Sequence, residues 1–498
     1  METIATSRSG RVQGERRDGV SVFRGIPFAA PPVAERRWQA PDHERTWNGV
    51  RPASAFGPVA AQGQMMLEQL MGGEEPVQSE DCLTLNVWTP SLDGRRPVMV
   101  WIHGGAFMFG SGQTPWYDGS QFARHGDVVL VTINYRLGPF GFLELGDLFD
   151  GFAASGNLGI LDQVAALEWV RDSIAGFGGD PDDVTIFGES AGAGSVGTLL
   201  GTPAAGGLFR KAILQSGGAS WGRPRDYATD LARQVIDHLG VAPGDTASLL
   251  ALSTDAINEA GTVLGGEVTS ARLPWAPTHD GFVLPQPPLD AIAAGSSAGV
   301  HVLAGTNLDE MTLFSFIDPS LAGIGEEGVV TRMHGWDATL DGRTLLDTYR
   351  DSRPNATYPD LWVAMSSDAV FRIPSIRLME EHLAHAPGWM YLFTWPTPVF
   401  GGMLRSTHAV EIPFVFDNFD QPGTAMFTGE GAERQGIADR MHAAWIAFAR
   451  HGDPNHPGIP EWPRYDLERR PTMQIDVDWE LLHDPMDAER KLWEHQLA

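Results

Sequence analysis

The sequence predicts an α/β fold in which a mostly parallel central sheet is flanked by helices. Residues 97–102 and 128–133 are almost uninterrupted apolar runs, which is typical of strands buried on both faces of a parallel sheet. Between these runs and the strand-like run 184–187, residues 157–174 have apolar side chains at helical spacing. This alternation of strand and helix indicates right-handed crossovers and a site at the carboxyl edge of the sheet.

The first sixty residues have a different pattern. Short strand-like runs such as 20–23 alternate with the proline-rich turns 30–32 and 40–41, which favours an edge hairpin and a surface segment. A further strand is indicated at 83–88, before the turn at residues 93–94. We expect the N-terminal region to extend the edge of the central sheet.

The composition excludes several classes of function. The 498 residues carry 35 Lys and Arg against 63 Asp and Glu, a formal net charge of −28. This charge repels nucleic-acid phosphates and anionic lipids, so we expect no nucleic-acid binding and no membrane association. The N-terminus lacks an apolar core of signal-peptide length, which predicts a cytoplasmic protein. The one cysteine, Cys82, permits no intramolecular disulfide and is expected to be a buried packing residue.

Residues 184–197 combine a strand, a sharp turn and a helix. The β-branched and aromatic run 184–187 leads into the motif Gly-x-Ser-x-Gly at 188–192, and small residues follow toward Leu200. Glycines on both sides of the serine permit the strained strand-to-helix turn called a nucleophile elbow. Ser190 is therefore the candidate nucleophile.

The same motif occurs twice more in the chain, at 218–222 and 295–299. The first of these follows a strand-like run but leads into Arg223-Pro224-Arg225, which we do not expect to begin a regular helix. The second precedes a strand instead of following one. Because only Ser190 has a strand before it and a helix after it, the other two matches are interpreted as loops.

Two adjacent glycines, Gly104 and Gly105, follow directly after the buried strand 97–102. Backbone N–H groups left bare at such a point satisfy the requirement for stabilising an oxyanion. An ordinary glycine turn is the alternative interpretation of these two residues alone.

Six segments, in order along the chain, resemble the motifs of one family. They are residues 23–28, 79–86, 103–107, 134–138, 178–181 and 188–192. On these segments the chain is identified as similar to the type-B carboxylesterases of the α/β-hydrolase superfamily, and most similar to their bacterial para-nitrobenzyl esterase branch. The resemblance implies an α/β-hydrolase fold in one large domain over residues 1–498, with helical and loop excursions around an active-site gorge.

The resemblance also implies a triad in the chain order Ser, acid, His. The family's acid corresponds to Glu310, which follows the strand-like run 300–304, and Asp309 is the rival carboxylate. Since neighbouring residues on an extended loop point in different directions, only one of them can meet the histidine. Nine histidines follow residue 310, and His408, followed by a Glu and a Pro, resembles the family's catalytic histidine. The other histidines considered lie in or at the ends of helical stretches, at positions 382, 385, 442 and 451.

The implied chemistry is attack of Ser190 on an ester carbonyl, with His408 as the base and Glu310 orienting it. The N–H groups of Gly104, Gly105 and Ala191 would form the oxyanion hole. No metal and no organic cofactor is expected. Comparison with the family also suggests that Ser216 hydrogen-bonds the triad. Glu189, beside the nucleophile, is expected to make structural hydrogen bonds under the site.

Substrate preference is predicted from the loops around the site. The family lines its gorge with loops that here carry eight large apolar residues, namely Phe107, Met108, Phe109, Trp116, Trp221, Trp275, Phe314 and Phe371. If several face the site, an apolar pocket for medium acyl chains or aryl esters results. The comparison also suggests two structural ion pairs, Arg37 with Glu80 and Arg136 with Asp180.

The predicted function is hydrolysis of short- or medium-chain or aryl esters by a serine carboxylesterase acting on small molecules. The alternative is a carbamate or amide hydrolase, or an acyltransferase, using the same triad. A non-catalytic binding protein is disfavoured because the chain keeps Ser190, Glu310 and His408 together. A monomer or homodimer is expected.

Overall fold

A computed structural model describes residues 2–43, 46–63, 76–265, 273–336 and 339–496. Within these ranges, thirteen strands form one sheet and four more form two small pairs. The strands in chain order are β1 Glu2–Ser7, β2 Gly10–Arg17, β3 Val20–Pro27, β4 Val50–Pro52, β5 Val59–Ala60, β6 Gln78–Ser79, β7 Thr84–Thr89, β8 Arg96–Ile102, β9 Val129–Ile133, β10 Gly179–Glu189, β11 Lys211–Gln215, β12 Arg223–Pro224, β13 Thr278–His279, β14 His301–Asn307, β15 Gly388–Phe393, β16 Pro471–Ile475 and β17 Glu480–His483.

The large sheet has a parallel centre and antiparallel edges. Its order is β1-β2-β3-β7-β9-β8-β10-β11-β14-β15-β16-β17, with β4 beside β2. The strands from β9 to β16 in this order run parallel to one another. The antiparallel hairpins β1-β2-β3 form one edge, and β17 forms the other. The predicted α/β class with a mostly parallel sheet and an N-terminal edge hairpin is confirmed.

Helices cover both faces of this sheet. In the described residues they are α1 Ser120–Gly126, α2 Gly138–Phe142, α3 Leu158–Ser173, α4 Ala191–Leu200, α5 Arg225–His238, α6 Thr246–Leu250, α7 Thr254–Gly265, α8 Pro288–Ala293, α9 Thr312–Phe316, α10 Glu326–Trp336, α11 Gly342–Ser352, α12 Tyr358–Ser367, α13 Ile373–His382, α14 Ile412–Phe416, α15 Thr424–Thr428, α16 Glu433–His451 and α17 Asp487–Gln496. The helix predicted at 157–174 is confirmed as α3. No helix among the described residues is long and apolar enough to cross a membrane.

Successive side chains of the central strands point to opposite faces of the sheet, so the interior is divided into two cores. Ile186 of β10 belongs to the core beneath α3 and α4, whereas Phe187 belongs to the core beneath α16. The second core is strongly aromatic, with the Trp101 ring 4.8 Å from Phe187 and 5.0 Å from Phe416. Because both faces are covered, the strands are apolar throughout, as parallel strands require.

Three neighbouring strands, β10, β11 and β14, end at the same edge of the sheet. The residues that follow them are Ser190, Ser216 and the loop that begins at Leu308. Parallel strands bring their carboxyl ends together, so residues more than one hundred positions apart meet at this edge.

Candidate active site

The turn between β10 and α4 holds Ser190 in an unusual backbone conformation. Its φ of 55° and ψ of −123° lie outside the ordinary regions for a residue with a side chain, a conformation that costs about 1–3 kcal/mol. The turn is tight because Gly188 and Gly192 pack against the end of β8: a methyl group on either would collide with the carbonyl oxygen of Ile102. Ser190 is half-buried, and its N–H donates to Gln215 O at 2.9 Å.

His408 lies beside this turn between two carboxyl groups. Its Nδ1 is hydrogen-bonded to Glu310 Oε2 at 2.6 Å, and its Nε2 is 3.1 Å from Glu189 Oε1. Burial alone would lower the pKa of His408, but the Glu189 and Glu310 carboxylates outweigh it and raise that pKa to about 9. In this structure Nε2 faces Glu189, so it makes no hydrogen bond with Ser190 Oγ.

The loop after β14 gives its two carboxylates different surroundings. Glu310 is fully buried, and its second oxygen accepts the Asn307 N–H at 2.8 Å. Asp309 points the other way, 3.6 Å from the half-exposed guanidinium of Arg405. The structure thus brings Glu310 and not Asp309 to the imidazole of His408.

Glu189 is buried next to the nucleophile, where its Oε1 makes no hydrogen bond with any described residue. Burial raises the pKa of Glu189 to about 8, with the negative charges of Glu411 and Glu310 adding to the effect of burial. Since Glu189 and His408 are in contact, the two groups titrate as a pair. The structural hydrogen bonding expected of Glu189 is therefore not made by Oε1, which instead lies 3.1 Å from the imidazole of His408.

A buried polar network lies behind the acid. Glu411 accepts hydrogen bonds from Asn307 Nδ2 at 2.7 Å and Gln215 Nε2 at 3.1 Å, and Gln215 Oε1 accepts from the Trp445 indole at 3.0 Å. Burial raises the pKa of Glu411, as does the nearby Glu310 charge. Glu411 is the Glu that follows His408 in the family-like segment, and the sequence alone indicates no role for it. The signal in the sequence that could have pointed to Glu411 is its position three residues after His408.

The glycine-rich loop after β8 reaches the other side of Ser190. A methyl group on Gly104 would lie 3.1 Å from Ser190 Cβ and 2.8 Å from Glu189 O, so only glycine permits this approach. Gly105 has a φ of 107°, a conformation that favours glycine. Ala191 begins α4, where the first backbone N–H groups have no partner within the helix. Gly104 and Ala191 therefore border Ser190 from two sides, and Gly105 follows Gly104 in the loop.

Two of the predicted pocket residues lie against the histidine, and a third packs against one of them. The ring of Phe371 lies 4.7 Å from that of His408, and the ring of Phe314 lies 5.4 Å from it. Trp221 packs edge-on to Phe371 at 5.8 Å and contacts Gly194 of α4. The structure therefore places an aromatic wall beside His408.

Comparison with known proteins decides the family. The model of the carboxylesterase family matches residues 1–493. The chain belongs to the carboxylesterase family. The para-nitrobenzyl esterase of Bacillus subtilis (strain 168) is 38% identical over 497 residues, 98% of each chain. The phenmedipham hydrolase of Pseudarthrobacter oxydans is 35% identical over 481 residues, 93% of this chain and 92% of its own.

Solved structures agree with this assignment. The crystal structure of the Geobacillus stearothermophilus carboxylesterase EST55 at pH 6.2 superposes with a TM-score of 0.90 at 44% identity, covering 99% of this chain and 100% of that one. A structure of PNB esterase gives a TM-score of 0.89 at 37% identity over 99% of both chains. The expected α/β-hydrolase fold and the enzyme class, serine carboxylesterase, are confirmed.

Several predicted pocket residues of this carboxylesterase lie elsewhere. Phe107, Trp116 and Trp275 have no exposed surface. The Trp116 indole donates to Pro422 O in the core on the far face of the sheet, and the Trp275 indole donates to Gly261 O. Phe107 packs edge-on to Phe142 at 5.2 Å. In this structure the three rings offer no surface to a substrate, and their assignment to the substrate pocket stays a prediction.

Met108 and Phe109 lie farther along the same loop of the carboxylesterase. Both are mostly buried. A methyl group on Gly265 would lie 3.5 Å from Met108, and one on Gly63 would lie 3.5 Å from Phe109. Their assignment to the substrate pocket stays a prediction.

The structure contradicts the expectation that Ser216 hydrogen-bonds the triad. It is buried with a φ of 58°, and its N–H donates to Gly305 O at 2.8 Å. Its hydroxyl has no hydrogen-bond partner among the described residues. The expected bond to the triad is not made, because both ring nitrogens of His408 already face carboxylates.

The two other serine motifs have the surroundings of loops. Ser220 is exposed, and the helix that follows it, α5, begins only at Arg225, directly after Pro224. The expectation that Arg223-Pro224-Arg225 would not begin a regular helix is wrong for its last residue, because Pro224 lies just before the first turn, where its missing N–H costs no helical hydrogen bond. Ser297 is fully buried and hydrogen-bonded to His382 Nδ1 at 2.8 Å, which leaves it no access to a substrate.

One of the two expected ion pairs is confirmed. Arg37 contacts both oxygens of Glu80, at 2.5 and 2.6 Å. Arg136 instead binds Asp162 of α3, at 2.7 and 2.8 Å, and the predicted pair with Asp180 is wrong. Asp180 lies near the start of β10 and pairs with Arg95. Arg136 follows the end of β9, so the two residues lie at opposite edges of a parallel sheet.

The described part of this carboxylesterase has no group of three or more His, Cys, Asp or Glu side chains that could hold a metal ion. Cys82 is buried, and burial raises the pKa of its thiol well above the usual range, as expected for a packing residue.

Proposed function

We propose that this carboxylesterase hydrolyses short- or medium-chain or aryl carboxylic esters through a Ser190, His408 and Glu310 triad. The observation that supports it best is the 2.6 Å hydrogen bond between buried Glu310 and His408 Nδ1, beside a serine held at a strained turn between strand and helix. A carboxylate on Nδ1 fixes the tautomer that leaves Nε2 free to accept a proton. The substrates we expect are small molecules.

Acylation begins when Ser190 Oγ attacks the ester carbonyl carbon and its proton passes to His408 Nε2. For this step Nε2 must turn from Glu189 toward Ser190, and catalytic hydrogen bonds are often formed only once substrate is bound. The C–O bond then breaks, the leaving alcohol takes the proton from His408, and the acyl group stays on Ser190. Water repeats the sequence and releases the acid.

The negative oxygen formed in each half-reaction needs hydrogen-bond donors. Gly104 and Ala191 border Ser190, and Gly105 follows Gly104 in the loop; the backbone N–H groups of these three residues are the proposed donors. Losing one such donor in a comparable site costs about 3–4 kcal/mol of transition-state stabilisation.

The proposed substrate class rests on the aromatic wall. Phe314 lies beside His408 and Trp221 packs against Phe371; both rings are partly exposed, which suits an aryl or medium-length acyl group. The names of the relatives, a para-nitrobenzyl esterase and a phenmedipham hydrolase, support organic molecules with an ester or related bond as substrates.

The test is release of para-nitrophenol from para-nitrophenyl esters from acetate to dodecanoate. Wild type is expected to be most active on short or medium chains, and Ser190→Ala to lose activity by about 10⁴-fold or more. Ser220→Ala, in the exposed repeat of the same motif, is the matched control and should keep full activity. A folded wild type inactive on the whole series would refute the proposal. Adding an alcohol and analysing the products separates hydrolysis from acyl transfer.

A further inference from the structure

The helical segment that carries Phe371 contains one widened turn. Between α12 and α13, residues Asp368–Arg372 form a π-helical turn in which the Ile373 N–H donates to Asp368 O, five residues back. Pro374 follows in the first turn of α13. A proline has no N–H and collides with the carbonyl four residues before it in a regular α-helix. The widened turn accommodates Pro374, and such turns are frequent at functional sites.

This turn leaves the carbonyl of Val370 without its usual helical donor, since Pro374 cannot supply one. The Trp221 indole donates to Val370 O at 3.2 Å. Trp221 is thereby fixed edge-on to Phe371, which contacts His408. The position of the widened turn thus sets the position of the aromatic wall.

Buried polar groups hold the turn at both of its ends. Arg372 binds Asp368 through two hydrogen bonds of 2.5 and 2.7 Å, and both side chains are buried. Asp368 also accepts the Tyr349 hydroxyl, and that hydroxyl accepts the Trp493 indole N–H at 2.8 Å. Trp493 belongs to α17, so the chain of contacts links the C-terminal helix to the turn.

A second set of contacts links α17 and the residues just before it to Arg372. Glu489 is 1% exposed and lies 4.0 Å from Arg372. It also binds Arg353 and accepts from Ser352 Oγ at 2.5 Å. Arg372 Nη1 donates to Pro485 O at 3.2 Å, just before α17 begins. The planar guanidinium is therefore held from several directions, which leaves the turn little freedom to shift.

We propose that Arg372 and Glu489 are positioning residues for substrate selectivity: together they hold the C-terminal helix against the widened turn and keep Phe371 beside His408. The inference rests on the proposed ester hydrolysis and deepens it. Neither residue touches the reacting atoms. Their effect is on the aromatic wall, so it is largest for substrates with a flat aryl acyl group and smallest for acetate.

The experiment compares kcat/KM for para-nitrophenyl benzoate and para-nitrophenyl acetate. In Glu489→Gln the benzoate-to-acetate ratio is expected to fall about fivefold or more. Phe371→Leu should lower the same ratio, and the double variant should lower it by less than the product of the two single effects, because both act through one ring. Trp493→Phe, which removes only one N–H, should shift the ratio in the same direction and covers the case in which Glu489→Gln does not fold.

The matched control is Glu80→Gln, which removes a carboxylate from another buried arginine, Arg37. It should lower the melting temperature and leave the ratio unchanged. An unchanged ratio in folded Glu489→Gln and Trp493→Phe, with only the melting temperature lowered, would overturn the inference and leave the proposed function standing. Wild type that hydrolyses neither ester would overturn both.

Discussion

At the scale of single residues, the charge on His408 is the property that governs the site. A general base must be neutral to accept a proton. Carboxylates on both sides favour the protonated imidazolium and raise the pKa of His408 to about 9 despite its burial. Activity is therefore expected to increase with pH through the range in which the pair of His408 and Glu189 loses its proton.

Glu189→Gln removes one of these carboxylates and keeps the shape of the side chain. Without that negative charge the imidazolium is less stable, so the pKa of His408 falls. The lower limb of the pH profile of kcat/KM should then move to lower pH by about one unit, since a carboxylate within 4–6 Å typically shifts a neighbouring pKa by that amount. Initial rates with para-nitrophenyl acetate between pH 5 and 10 measure it.

Asp309→Asn is the control for this prediction. Asp309 is close to the triad in sequence but pairs with Arg405 on the outer side of its loop. Its neutral variant should therefore leave the lower limb of the pH profile of kcat/KM at the wild-type pH. If Glu189→Gln and Asp309→Asn gave the same profile as wild type, Glu189 would have no influence on the base.

At the scale of elements, close approach between β8, β10 and α4 shapes the turn at Ser190. Gly192 faces the last carbonyl of β8 with no room for a methyl group. The contact brings α4 onto the end of the sheet and puts Ser190 at the edge where β11 and β14 also end. The same packing therefore serves both the fold and the proposed chemistry.

Gly192→Ala is expected to lower the free energy of unfolding by about 1–3 kcal/mol or more, since the collision is with backbone that cannot move aside. Gly436→Ala is the matched control, because Gly436 is an exposed position of α16 with open space around it. There alanine should raise stability by about 0.5–1 kcal/mol through helix propensity. Urea unfolding followed by circular dichroism measures both. Equal changes in the two variants would contradict the packing argument.

At the scale of the whole molecule, one sheet connects strands from Glu2 to His483. We propose on this ground that the chain is one catalytic domain. Its formal charge of −28 adds self-repulsion that opposes the compact state. Ion pairs such as Arg37 with Glu80 offset only part of this excess, because acids outnumber bases.

Salt is therefore expected to stabilise the protein. The screening length falls from about 30 Å at 0.01 M to about 3 Å at 1 M ionic strength, so the melting temperature should rise by a few degrees between these NaCl concentrations. Differential scanning calorimetry measures the shift, and sucrose of equal osmolality controls for effects that do not depend on charge. A melting temperature that fell on adding salt would contradict the prediction.

The sequence by itself determined the sheet class and the Gly-x-Ser-x-Gly motif at the elbow, and the resemblance predicted Glu310 and His408 as partners of Ser190. These follow from local patterns: apolar runs, glycine spacing and short motifs each act over a few residues. The family comparison then confirmed the fold and the enzyme class.

Only the tertiary structure decided which distant side chains meet. It assigned Arg136 to Asp162, buried Trp116 in a core of aromatic residues, left the Ser216 hydroxyl without a partner among the described residues and turned His408 Nε2 toward Glu189. Each outcome depends on packing between elements far apart in the chain. A local pattern shows that a residue is aromatic or charged, but the partner it meets is set by the strand order and by the space left between helices.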